Sequence, residues 1–309
     1  MESLVQSEPV GLVLAGGGAK GAFQAGVWQA MWELGIARRV KVISGTSVGA
    51  INGAVFALLR DPDRVRDLWL RRVEDVVRPN YSLLDLTQFI PRILRVVGGQ
   101  PFPFLGIFSR DGLVALLREV VSRPLSETGI DVYATSLACT GAVLRTFDPE
   151  AYALTRFHLN AEGSPERVRQ MILASAAIPW GFDPVEIDGV RYIDGAGESN
   201  GGDNVPIQPI LDRHPEIRTI YVIHCNSWQI DPHSGVAGKA RGCRVVEIRP
   251  RQTLPGILDD MNVADNATFR SWSGVLSFRT EYARKYFEAG YADGRAALHS
   301  PIRDARLNW

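Results

Sequence analysis

This chain has few of the features that would place it quickly. Cysteine is scarce, with Cys139, Cys225 and Cys243 scattered singly along 309 residues. Their spacing suits neither a metal site nor an even-numbered disulfide framework, which favours a reducing, cytoplasmic setting. There is no excess of charge: Lys+Arg and Asp+Glu number 34 each, for a formal net charge of +0. Such a balance gives no global attraction to nucleic acid and no basic membrane-binding surface. No apolar run approaches the roughly 20 residues that span a bilayer. The polar stretch Met1 to Pro9 lacks the charged and apolar regions of a secretory leader. Internal repeats at solenoid periods are missing. Histidine is limited to His158, His214, His224, His233 and His299, and none lies in an obvious catalytic loop. No metal or other cofactor is expected.

What remains is ordinary globular material, 46% hydrophobic and 22% charged, enough to bury a large core. The run Val10 to Ala15 is continuously apolar, as for a strand covered on both faces. A helix from Ala22 to Leu34 follows and is closed by Gly35. A second strand, Val40 to Ser44, leads into a helix from Ala50 to Leu59. Strand, helix, strand and helix with short connections predict an α/β layered fold with a parallel sheet. Further helices are expected at Arg64 to Glu74, Gly112 to Val121, Ser164 to Ala177, Pro206 to Leu211 and Thr268 to Leu298. Strands are expected at 131–136 paired with 143–147, and at Thr219 to His224 and Arg244 to Arg249. Asp188-Gly189 marks a hairpin between Val185 to Ile187 and Val190 to Ile193. Residues 78–125 read as an apolar insertion over one end of the sheet, with Phe102 and Phe104 among its aromatics. A single domain over 8–300 accounts for the whole pattern.

The stretch Ser44-Gly45-Thr46-Ser47-Val48-Gly49 organises the chemistry. It turns a buried strand into a helix through G-x-S-x-G, a nucleophile elbow. Gly45 and Gly49 leave room for a strained turn that holds the Ser47 hydroxyl outward. A plain Gly/Ser turn is the bland alternative. Gly16-Gly17-Gly18-Ala19-Lys20-Gly21 follows the first strand. Gly16, Gly18 and Gly21 match the dinucleotide fingerprint, but the second strand lacks the terminal acid that a ribose would need. The same bare amides at a helix start suit an oxyanion hole. A serine nucleophile needs a base. His224 and His299 could serve in a Ser-His-Asp arrangement. Asp194, at the end of a strand and followed by Gly195-Ala196-Gly197, is the better placed candidate, its bland alternative being a turn aspartate.

These glycine and serine motifs, together with Ala174-Ser175-Ala176-Ala177-Ile178-Pro179 and Asp194-Gly195-Ala196, resemble the ordered motifs of the patatin-like phospholipases, serine acyl hydrolases. The likeness runs from about Val10 to Asn204-Val205-Pro206, and Gly290-Tyr291 resembles bacterial members. It implies a three-layer α/β sandwich with a mostly parallel central sheet. It also implies a Ser-Asp dyad without histidine, with Ser47 as nucleophile and Asp194 as general base. The backbone of Gly16, Gly17, Gly18 and Ala19 becomes the oxyanion hole, with Lys20 in the place of the family's Arg/Lys. Gly21, Gly45, Gly49, Gly195 and Ala196 complete the motifs. Glu198-Ser199-Asn200-Gly201-Gly202-Asp203 departs from the pattern by lengthening the return to Asn204. A free aspartate, with a pKa near 3.9, is a poor base at neutral pH, so burial has to raise Asp194. The implied substrate is a fatty-acyl ester or phospholipid, met by peripheral, reversible membrane contact. No nucleic-acid partner is expected.

Overall fold

Val10–Leu14 is buried at every position and forms the central strand, β1. The computed structural model describes residues 8–79, 108–140, 149–179, 181–227, 235–240, 242–256, 274–275 and 277–299. Seven more strands complete the 8-stranded sheet: β2 (Val40–Thr46), β3 (Asp131–Cys139), β4 (Tyr152–His158), β5 (Val185–Ile187), β6 (Val190–Asp194), β7 (Thr219–Ile223) and β8 (Arg244–Ile248). The order β8-β7-β1-β2-β3 is parallel throughout. β4, β5 and β6 join antiparallel. The sheet is therefore mixed, with the expected parallel part running from the edge strand β8 to β3.

Alternation along the strands splits the interior into two layers. Leu12, Leu14 and Ile43 enter a large core with the helices α1 (Gly21–Glu33), α2 (Val48–Leu59), α3 (Pro62–Val76), α4 (Asp111–Val120), α5 (Pro165–Ser175) and α7 (Thr280–His299). Val13, Ala15 and Val42 face the other way, towards Val205, Ile207 and helix α6 (Gln208–Arg213). With helices on both faces, the three-layer α/β reading holds.

Local signals acted where they were legible. α1 stops at Gly35, φ +74°, where the Gly35 N–H donates to the Trp32 carbonyl. The Asp61 carboxylate accepts the Asp63 N–H at 2.9 Å and Pro62 follows, which starts α3. Asp188 and Gly189 both have positive φ, 52° and 76°, as their hairpin turn requires.

Two elements differ from expectation. The next strand in sequence to pair antiparallel with β3 is β4, at 152–158, and residues 143–147 lie outside the described residues. No residue of β4 is fully buried, so its apolar pattern is faint. The last helix begins at Thr280, after a non-helical 277–279, and Phe269 and Trp272 lie outside the described residues. Within the expected insertion, 80–107, including Phe102 and Phe104, is likewise outside them. Arg78–Pro79 pairs antiparallel with Phe108–Ser109. α4, by contrast, buries Leu113, Leu116, Leu117 and Val120 in the main core.

α1 and α7 cross at backbone contact. A Cβ at Gly290 would lie 2.0 Å from the Phe23 carbonyl oxygen, and one at Gly26 would lie 2.1 Å from that of Phe287. Gly290→Ala is expected to lower stability by about 3 kcal/mol through forced separation of these helices, read from thermal unfolding.

Candidate active site

One strand sets the site. Along one edge of β3, residues 131–135 pair with β2, and 136–138 pair with the antiparallel β6. β4 occupies the opposite edge from 133 to 139. β2 and β6 therefore meet end to end, with Thr46 opposite Thr135 and Asp194 opposite Ser136. Residues 47 and 194, remote in sequence, are brought together by two adjacent residues of β3.

Ser47 sits at φ 57°, ψ −126°, between β2 and α2. Such a conformation is costly for a residue with a side chain and persists only where its surroundings enforce it. The enforcement is close packing: a Cβ on Gly45 would lie 2.3 Å from the Gly49 carbonyl carbon, and one on Gly49 would lie 2.1 Å from the Leu14 carbonyl oxygen. The Ser47 N–H donates to Ser175 Oγ at 2.9 Å, and that hydroxyl donates to the Thr135 carbonyl at 2.6 Å. Thr46 Oγ1 donates to the Asp203 carbonyl at 2.7 Å.

Asp194 is buried, only 4% exposed, beside Ser47 at 3%. Burial pushes its pKa up from 3.8 to about 6, opposed by hydrogen bonding from the Ser47 hydroxyl and the Ala196 N–H. The Ala196 N–H donates to Oδ1 at 2.8 Å. Oδ2 has no partner of full hydrogen-bond geometry among the described residues. The Ser47 hydroxyl thus lowers the carboxylate pKa without a hydrogen bond of full geometry.

The glycine loop closes the third side. A Cβ on Gly16 would lie 2.6 Å from Asn204 Oδ1 and 3.2 Å from both Ser47 Cβ and Ala196 Cβ, so a side chain there would push these segments apart. The Gly16 N–H is committed to Asn204, 3.0 Å from Oδ1 and 3.3 Å from the carbonyl oxygen. Gly16 is therefore not a free donor, which leaves the amides of Gly17, Gly18 and Ala19 as the loop's candidate donors. Lys20 turns away: it is 1% exposed and donates through Nζ to Asn226 Oδ1 at 2.9 Å. Gly21 packs under Val48 and Trp69. The lengthened loop is orderly, since Asp203 N–H donates to the Gly195 carbonyl and Gly202 N–H to that of Gly197, both at 2.9 Å. This return delivers Asn204 to Gly16.

An apolar channel leaves Ser47 between α2, α3 and α4. Its cavity volume is about 60 Å³, and Ile51, Val55, Trp69, Val73 and Leu116 are among its walls. Helices of the main core supply most of the described walls, joined by Ile178, Phe182 and Phe278, and the aromatic stretch before Phe108 to which the sequence pointed lies outside the described residues.

The histidines are engaged elsewhere. His224 pairs with Glu247 at 3.0 Å and His299 with Arg295 at 3.2 Å. His158 pairs with Asp131 at 2.8 Å, and His214 meets the Tyr133 hydroxyl at 3.1 Å. His233 lies outside the described residues. Among the described residues no histidine hydrogen-bonds Ser47 or Asp194. No group of three or more His, Cys, Asp and Glu side chains there could hold a metal ion, and no helix of the described residues is long and apolar enough to cross a membrane. Ser175, Thr135 and Asn204 support the site without having been assigned any chemistry from the sequence. The first and last stood inside recognised motifs, but their hydrogen-bond partners are 128 and 188 residues away.

Fold and site together define an α/β protein with a serine elbow facing a buried carboxylate. A solved structure, human GIVD cytosolic phospholipase A2, shares this fold: TM-score 0.50, 12% identity, covering 95% of this chain and 59% of that one. The patatin-like phospholipase family model matches residues 12–211, and the chain belongs to that family. Patatin-like phospholipase domain-containing protein 7 of Rattus norvegicus is 29% identical over 321 residues, 98% of this chain but 22% of the relative. Lysophospholipase NTE1 of Chaetomium globosum is 52% identical over 100 residues, 29% of this chain and 6% of its own. The chain thus spans about a fifth of the rat relative's length.

Proposed function

We propose that this chain hydrolyses fatty-acyl esters of lipids, as a serine carboxylic-ester hydrolase of the phospholipase A type. The observation that carries this reading is the meeting of Ser47 and a buried, pKa-raised Asp194 at the mouth of an apolar channel. Names of relatives, phospholipase and lysophospholipase, support the substrate class.

The ionised Asp194 carboxylate takes the Ser47 hydroxyl proton as Oγ attacks the ester carbonyl carbon. Negative charge moves to the carbonyl oxygen, which the amides of Gly17, Gly18 and Ala19 receive. Collapse expels the alcohol, which takes the proton back from Asp194. Water then attacks the acyl-enzyme, giving its proton to Asp194, and the second collapse returns that proton to Ser47 and frees the fatty acid. The acyl chain lies in the channel, and the rest of the lipid stays at the mouth, at a membrane surface touched peripherally. The test is release of fatty acid from defined phospholipids and from neutral acyl esters. Release from neither class would reject the proposal.

Because only the ionised base accepts a proton, kcat/KM is expected to rise with pH through about 6, the value to which Asp194 is pushed. A pH-rate profile checks this, and an acid limb at an ordinary aspartate value would contradict it. Filling the channel tests the acyl site separately. Leu116→Trp is expected to lower kcat/KM for palmitoyl esters by about tenfold or more while sparing butyryl esters. Equal effects on both would remove the channel from the account.

A further inference from the structure

We infer that Ser175 is a positioning residue for the proposed reaction: its hydroxyl carries the β2–β3 ladder across the strained elbow and holds Ser47 in register with Asp194. This inference rests on the reading of Ser47 and Asp194 as the reacting pair.

The regular ladder ends with Thr46 opposite Thr135. The next amide belongs to Ser47, whose positive φ turns it out of the strand. A buried N–H and the buried Thr135 carbonyl would both be stranded there, a costly arrangement. Ser175 ends α5 and is fully buried at this gap. Its oxygen accepts the Ser47 N–H at 2.9 Å, and its single proton goes to the Thr135 carbonyl at 2.6 Å. Both directions are unambiguous, because an amide can only donate and a carbonyl can only accept.

The same segment grips the other reacting residue. The Ala177 carbonyl, two residues on, accepts the Asp194 N–H at 3.0 Å. The Thr135 carbonyl also floors the turn after Asp194, since a Cβ at Gly195 would lie 2.4 Å from it. Residues 175–177 thus strap the backbone amides of positions 47 and 194 to one platform. The Ser175 hydroxyl bonds two backbone groups, the Ser47 N–H and the Thr135 carbonyl, so its effect passes through the separation of the pair.

The test uses the full chain with Ser175→Ala, Ser175→Cys and Ser175→Thr. Cysteine keeps nearly the same shape with a weak donor, and it stands in if the alanine variant fails to fold. A misplacement of about 1 Å can cost about 100-fold, so kcat of the alanine and cysteine variants is expected to fall by about that factor per folded molecule. KM should stay within about twofold, as for an interaction made only in the transition state. The acid limb of the kcat/KM profile is expected to move up, because a looser Ser47 hydroxyl gives less support to the ionised carboxylate. Threonine, which restores the hydroxyl, is expected to recover most of the rate. A lowered melting temperature with unchanged kcat and acid limb would overturn the inference and leave only a structural role. A wild-type protein that cleaves no acyl ester would overturn the dyad reading, and this inference with it.

Discussion

Ser47→Ala is expected to abolish fatty-acyl ester hydrolysis, with kcat reduced by about 10⁶-fold, as for removal of a nucleophile that acts as part of a unit. The fold should be untouched. Alanine keeps the Cβ, and the elbow is enforced by its glycine contacts and by the Ser47 amide bond to Ser175, neither of which uses the lost hydroxyl. The measurement is fatty-acid release by the variant beside its circular dichroism and melting temperature. Hydrolysis near the wild-type rate in a folded variant would remove Ser47 from the chemistry.

Asp194→Asn is expected to separate activity from stability. An amide cannot take the Ser47 proton, and removal of the general base in a serine hydrolase has cost about 10⁶-fold in kcat. Stability should move the other way. Burial raises the Asp194 pKa from 3.8 to about 6, so the folded state holds this proton more tightly than the unfolded chain does. The wild type then loses stability as pH rises from about 4 to about 6 and keeps that deficit above it. Asparagine has no charge to bury and still offers an oxygen to the Ala196 N–H. At neutral pH the variant should be more stable by about 1–3 kcal/mol, with no such dependence on pH. Chemical denaturation at pH 4 and pH 7 reads this directly. A variant less stable than wild type at both values would contradict the buried, ionised base.

Legibility in the sequence followed how local each signal is. The elbow was legible because Gly45 and Gly49 flank Ser47 within one turn and no other residue fits their contacts. The glycine loop was legible as a loop, but not the commitment of its first amide, since Asn204 lies 188 residues away. Asp194 could be named as a strand-end acid with glycines after it. That it faces Ser47 follows from β2 and β6 sharing one edge of β3, a fact of register no local pattern carries. β4 was missed because it lies half-buried along its length and lacks a strong apolar alternation. His224, plausible as a base by its place at a strand end, is held by Glu247 on the neighbouring strand. Glu247 in turn stays ionised: burial raises its pKa, but His224, the Val236 N–H and Arg249 outweigh this and bring it to about 2.

The most direct test of the pairing is covalent trapping. Wild-type protein and Asp194→Asn are treated with an alkyl fluorophosphonate, and the modified residue is located by mass spectrometry over time. A single adduct on Ser47, formed quickly in the wild type and far more slowly in Asp194→Asn, is the expected result. An adduct on another residue, or equal rates at Ser47 in both proteins, would contradict a nucleophile activated by this carboxylate.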